Sequence, residues 1–312
     1  MGLKSRLAVA AAIAVLMVSA RIPASAQTPQ LFQFFVSATD ASGMPLTDLR
    51  PQDVIMSEDG VNQPIVKVEP VPVPMKLTIV VDNGFDSADA IDHFRNGLTG
   101  LIEALPPDVE MTLISTSPQP RTVVKPTADH AQVLRGLKNF APERAAPRFS
   151  DALVEYSQRL QREAKDSKAA PYLPVLLMVS TAANDQTAYQ PKDIEKAVSA
   201  LVARRARMNT VMVSTRQGDV ASATHLKSSL QAVLAVPAAK ATNGRYEEVL
   251  VPSNLPTLLS QWGRDLASLH VRQNSQFRVT VERGSSGDLK NPRIELARPG
   301  IQGTVTRDGF LP

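Results

Sequence analysis

The chain has 312 residues, 34 Lys and Arg against 30 Asp and Glu, a formal charge of +4, and no cysteine. The absence of cysteine excludes disulfides, thiol catalysis, Cys-ligated zinc and lipid attachment through a lipobox cysteine. Lys4, Arg6 and Arg21 fall in the first 26 residues, which hold no acidic residue; without that segment the charge is +1, and nothing in it argues for a nucleic-acid partner.

Residues 1–26 read as a secretory signal. Lys4 and Arg6 precede the apolar or small-residue run Leu7–Ala20, and Ala24-Ser25-Ala26 is a small-x-small cleavage site, so the mature chain begins at Gln27. The run is short for a membrane span, which takes about 20 residues, and no later segment is long and apolar enough for one. Retention of the signal as an anchor is the alternative. Together with the missing cysteines, this predicts a periplasmic or secreted protein.

From residue 27 to 74 the pattern is β. Phe32, Phe34, Val36 and Ala38 alternate with Gln33, Ser37 and Thr39, broken only by Phe35. Ala41-Ser42-Gly43-Met44-Pro45 is turn chemistry. Val54-Ile55-Met56 and Ile65-Val66-Lys67-Val68 are short strands separated by a Glu58-Asp59-Gly60 turn, and Val71-Pro72-Val73-Pro74 is a stiff connector.

From 75 to 270 strands and helices alternate. The strands are Leu77–Asp82, Glu110–Ser115, Val175–Ser180, Thr210–Ser214 and Gly244–Val249, with Arg121–Lys125 as an additional edge strand. The helices are Ser87–Leu105, His130–Lys138, Phe149–Lys165, Asp193–Arg207, Ala221–Val233 and Leu255–Leu269. Ile91, Phe94, Leu98, Leu101 and Ile102 share one helical stripe. Such a βα succession predicts an α/β fold with a mainly parallel central sheet and helices on both faces. Arg204-Arg205-Ala206-Arg207 reads as the solvated last turn of a helix, and Trp262, among leucines, reads as core. From 271 to 312 the pattern returns to β: Phe277, Val279 and Val281 alternate with polar residues, Gly284–Asp288 is a loop, and Ile294, Leu296 and Ile301–Val305 follow. The two terminal β segments can pack together, since chain ends often lie close.

The stretch Met75–Ser87, an apolar strand ending in Asp82, resembles the first strand of a von Willebrand factor A-like (vWA) domain. The surrounding phrases strengthen the resemblance: Gly43-Met44-Pro45, Leu49-Arg50-Pro51-Gln52-Asp53-Val54 with Glu58-Asp59-Gly60, and Arg307-Asp308-Gly309-Phe310 are similar to those of exported bacterial vWA proteins described from acidobacteria. The resemblance covers nearly all of the mature chain. It implies a Rossmann-like vWA domain over 75–270 between a β segment at 27–74 and another at 271–312.

It also implies a metal-ion-dependent adhesion site, with an Asp and two Ser from the first loop, a Thr from the second and an Asp from the third, because Mg²⁺ takes near-octahedral oxygen ligands. Here Asp82 matches, but Gly84 and Asp86 stand at the serine positions, Pro147 replaces the Thr before Asp151-Ala152-Leu153, and Thr181 replaces the Asp. Arg148 would oppose a cation, and Asp185 is an improvised ligand at best. Asp82 and Asp86 are thus the only candidates to hold Mg²⁺ or Ca²⁺, and the expectation is a degenerate site with no cofactor. Asp82 has a second reading, a structural carboxylate that accepts backbone N–H bonds; Asp86 and Ser87 read equally as helix caps.

No catalytic constellation is assembled in the sequence. His93, His130, His225 and His270 have no partners at metal-ligand spacing, and there is no P-loop, no Gly-x-Ser-x-Gly elbow and no Gly-x-Gly-x-x-Gly after a strand. The expectation is a non-enzymatic exported module that binds an unidentified protein through the tip of its sheet, at Asp82, Asn83, Asp86, Arg148, Thr181 and Asn184. A cation-dependent adhesin and a structural component of an envelope assembly are the alternatives, and the sequence does not set the oligomeric state.

Overall fold

A computed structural model describes residues 30–166, 170–182, 185–213, 230–283 and 287–311. The signal segment, Asn184, His225, most of the expected helix Ala221–Val233 and the loop tip at 284–286 lie outside the described residues.

Six strands build the central sheet: β5 (Met75–Val81), β6 (Glu110–Ser115), β7 (Arg121–Thr127), β8 (Leu173–Thr181), β9 (Arg207–Val213) and β10 (Tyr246–Val249). Their order is β10-β9-β8-β5-β6-β7, parallel throughout except for the antiparallel edge strand β7. Helices cover both faces, so the strands carry apolar residues on both sides. In β5, Leu77, Ile79 and Val81 enter one core and Val80 enters the other; in β8, Val175, Leu177 and Val179 part from Leu176 and Met178 in the same way. The first core is closed by α1 (Ile91–Glu103), α2 (His130–Lys138) and α6 (Leu255–Asn274), the second by α3 (Phe149–Glu163), α4 (Pro191–Ala203) and α5 (Leu230–Ala241). This is the mainly parallel, Rossmann-like vWA architecture that the sequence implied, and Trp262 belongs to the first core.

Three expectations are corrected. The first helix opens as a 3₁₀ segment, Phe85–Ala90, before α1 begins. Helix α4 stops at Ala203, and Arg205 takes a left-handed φ of 54°, so the run 204–207 is a turn into β9 and not a last helical turn. Helix α5 continues past Val233 through Pro237, because Ala235 and Ala238 bury against the second core and tertiary packing outweighs the proline's penalty.

The terminal β segments interleave. Strand β1 (Gln30–Thr39) lies between β11 (Gln276–Arg283) and β13 (Gln302–Thr306), with β4 (Ile65–Pro70) on the far side of β11. A second sheet has the order β12-β2-β3, formed by Arg293–Leu296, Val54–Glu58 and Val61–Gln63. Phe34, Val36, Met56, Phe277, Val279 and Val281 form a third core, shared by both sheets. Across it the Arg283 guanidinium donates two bonds to the Glu58 carboxylate, at 2.9 and 2.5 Å. Within the vWA-like layer His270 ties α6 to the central sheet: its Nδ1 accepts from the Met75 N–H at 3.1 Å, leaving Nε2–H to face Asp108 at 3.0 Å. The Gln273 side chain accepts from the Leu311 N–H at 3.0 Å, and Phe310 packs against the first core.

Candidate functional site

Strand β5 leads away from one edge half of the sheet, and the chain later returns to β8 on its other side. The crest between β5 and β8 is therefore the topological switch point, where open α/β sheets place their ligand crevices. Asp82 and Thr181 meet there, at the two strand tips.

In this chain the crevice is closed from within. Asp82 is 1 % exposed. Its Oδ1 accepts the Gly84 N–H at 2.8 Å, and its Oδ2 accepts the Thr181 hydroxyl at 2.8 Å, the Ser180 hydroxyl at 3.1 Å and the Thr181 N–H at 3.2 Å. Burial pushes the Asp82 carboxyl above its ordinary range, and these four donors pull against that shift. The structural-carboxylate reading describes this geometry.

The other ligand positions are filled as well. A Cβ on Gly84 would lie 2.9 Å from the Pro147 Cδ and 3.0 Å from the Ala145 carbonyl, so the proline ring occupies the space next to the first loop. Asp185 does not reach Asp82; it caps α3, accepting the Phe149 and Ser150 N–H groups at 2.8 and 3.1 Å, a task no side chain at that helix's own N-cap performs. Burial raises Asp185 too. Arg148 pairs with Asp151 at 3.0 Å, and Asp151 in turn accepts the Thr187 hydroxyl and the Ala188 N–H. Among the described residues no group of three or more His, Cys, Asp or Glu could hold a metal. One saturated carboxylate, a glycine, a proline and a threonine do not fit a divalent-cation site.

The crest residues expected to face a partner are divided. Asp82, Asn83 and Thr181 are buried, which corrects their expected place on a binding surface. Asn83 is spent internally: its Oδ1 accepts the Ser117 N–H at 2.9 Å, its Nδ2 donates to the Ala141 carbonyl, and its own carbonyl accepts the Glu143 N–H at 2.7 Å. Asp86 is exposed and Arg148 is half-exposed at 35 %. Ser87, expected as a cap, is buried and donates its hydroxyl to the Gly84 carbonyl at 2.7 Å. Sequence reasoning missed Phe85, which is 70 % exposed between Gly84 and Asp86. The available signal was an aromatic directly after the Asp-Asn-Gly strand tip, ahead of the helical stripe.

No family model matches this chain, and no curated protein matches it. Among solved structures, the chain is similar over 88% of its length to a von Willebrand factor type A protein from Catenulispora acidiphila, at 10% identity, 72% coverage of that chain and a TM-score of 0.49. It is similar over 62% to the conserved hypothetical protein BatB from Bacteroides thetaiotaomicron, at 13% identity, 98% coverage and 0.44. Over 61% it is similar to the SpRpn10 VWA domain, at 13% identity, 95% coverage and 0.43. The vWA-like character of the fold lies in the strand order and the two helical faces described above.

Proposed function

We propose that this chain is an exported, non-enzymatic protein-binding module that uses the crest of its vWA-like domain without a metal ion. The observation that carries the reading is Phe85, a largely exposed aromatic on a crest whose other recognition candidates are mostly buried and hydrogen-bonded to one another. Aromatics are favoured anchors in protein interfaces, and a flanking carboxylate and guanidinium, Asp86 and Arg148, supply charge complementarity at the rim. The signal-like residues 1–26 support export. Saturation of Asp82 supports recognition by the surface itself in place of a shared cation.

The test is capture of an envelope partner by the mature protein, repeated with Phe85→Ala, Asp86→Ala and Arg148→Ala. A partner lost with Phe85→Ala supports the crest; a partner held equally by all three variants removes it. Calorimetry with Mg²⁺, Mn²⁺ and Ca²⁺ addresses the metal: micromolar binding that disappears in Asp82→Ala would establish the cation-dependent adhesin instead.

A further inference from the structure

At the far end of the sheet from the crest, β9 begins with two polar residues on a face that is otherwise apolar. Side chains alternate along a strand, so Arg207 and Asn209 share the face of Val211 and Val213, which enters the first core under α6. Only at its open end does this face turn polar. There it lines a pocket of about 180 Å³, walled by Trp262, Asp265 and Arg272 on α6 and by Arg245 just before β10.

Three guanidinium groups and one carboxylate line this pocket. Arg245 pairs with Asp265 at 2.5 Å, and Arg207 donates one bond to the Leu311 carbonyl. Arg272 has no acidic partner among the described residues. Arg207 carries an uncompensated charge in a partly buried place, and burial together with the proximity of Arg272 and Arg245 lowers its pKa. A second, independent observation lies in the pocket wall. Asn209 is 5 % exposed, and its Oδ1 accepts the Arg245 N–H at 3.0 Å, which sets the orientation of its amide. Its Nδ2 is then the free end, buried and without a hydrogen-bond partner. Buried donors are nearly always satisfied, and one left open at the wall of a cationic pocket calls for an acceptor.

We propose that this pocket binds a small dianion of the phosphate type, as the free ion or as a monoester. The excess of three guanidiniums over one carboxylate is two charges, which a dianion neutralises. Converging donors from β9, β10's approach and α6 suit a tetrahedral anion, with several acceptor oxygens, better than a flat carboxylate with two. The site is separate from the crest: β9 spans the sheet between them, roughly 20 Å at about 3.3 Å per residue.

Trp262 is the only tryptophan in the chain and stands in the pocket wall, so its fluorescence reports on occupancy. The full chain is titrated with inorganic phosphate, glycerol phosphate and succinate at pH 8 and constant ionic strength, with chloride as the control. The expected result is a saturable change with the two phosphates, weakened at least tenfold in Arg272→Gln and in Arg207→Gln and unaltered in Phe85→Ala. Arg272 is exposed, so its variant keeps the native melting temperature and remains interpretable even if Arg207→Gln fails to fold. Tighter binding of glycerol phosphate assigns the site to an esterified ligand, tighter inorganic phosphate to the free ion, and both support it. An identical response to chloride, succinate binding more tightly than either phosphate, or an unchanged midpoint in Arg272→Gln overturns the proposal.

Discussion

Asp82 shows how one residue type serves two opposite ends. At the tip of a parallel strand a carboxylate can await a cation or complete a hydrogen-bond network, and its neighbours decide which. Here four donors from Gly84, Ser180 and Thr181 hold it, so removing its acceptors strands buried donors. Asp82→Asn leaves at least one donor facing an amide N–H₂ and is expected to cost about 1–3 kcal/mol, the usual penalty for an unsatisfied buried group. The pH dependence has a definite sign. Burial raises the folded pKa of Asp82 above its ordinary 3.8, so the folded state holds this proton more tightly than the unfolded state. The stability that Asp82 contributes is greatest below 3.8 and is lost as pH rises through the folded value. Asn does not titrate, so the gap between wild type and Asp82→Asn in urea unfolding should be wider at pH 4 than at pH 7. A gap that widens with pH would mean that the donors, and not burial, dominate the carboxylate. Gly84→Ala probes the plug beside it: an added methyl meets the Pro147 ring and the Ala145 carbonyl and should cost about 1–3 kcal/mol through overpacking.

Among the elements, the α1–α6 pair is packed closely enough to invert a propensity rule. Ala is favoured over Gly inside a helix by about 1 kcal/mol. A Cβ on Gly263 of α6, however, would sit 2.6 Å from the Leu101 carbonyl oxygen and 2.9 Å from the Leu101 Cα, backbone atoms that cannot swing aside. Gly263→Ala is therefore expected to destabilise by about 1–3 kcal/mol, read as a lowered melting temperature; stabilisation would show that the two helices can part at little cost. Periodicity made most elements legible: α2 has its expected limits and β6 its expected residues, because apolar spacing and local caps set both. Events that depend on distant partners were hidden. The continuation of α5 past Val233 and through Pro237 depends on Ala235 and Ala238 finding the second core, and the cap of α3 comes from Asp185, more than thirty residues away. At the crest the missing metal ligands were visible in Gly84, Pro147 and Thr181. What replaced them was not, because burial of Asn83 and exposure of Phe85 depend on how the 116–118 and 141–147 loops close over the strand tip.

For the whole molecule, the expected division into a vWA-like domain with a β segment at each end conceals a shared structure. Strand β11 lies between β1 and β4, so these two strands of the first β segment share a sheet only through the last. The family-like phrases find their roles in this joint. Asp59 and Gly60 both take positive φ in the β2–β3 turn, Glu58 binds Arg283 across the third core, and Asp308 pairs with Arg205 at 2.7 Å where the tail returns to the vWA layer. The Glu58–Arg283 pair lowers the Glu58 pKa, so its contribution is present above the ordinary value of 4.5 and is lost as pH falls through the depressed folded value. That dependence is opposite in sign to that of Asp82 and lies in a different layer. Deleting residues 276–312 removes β11, β12 and β13 together with the Leu311 and Phe310 contacts. The expected result is rapid amide hydrogen exchange throughout β1 and β4, whose partner strands are gone, while β5 and β8, each paired on both sides within the central sheet, remain the slowest to exchange. The fully buried Phe34 and Val36 would then be uncovered, and dye binding to exposed apolar surface should rise with the loss of protection. Slow exchange persisting over 30–39 in the truncated chain would mean that the N-terminal β segment folds by itself, and the joint between the chain ends would no longer account for this layer.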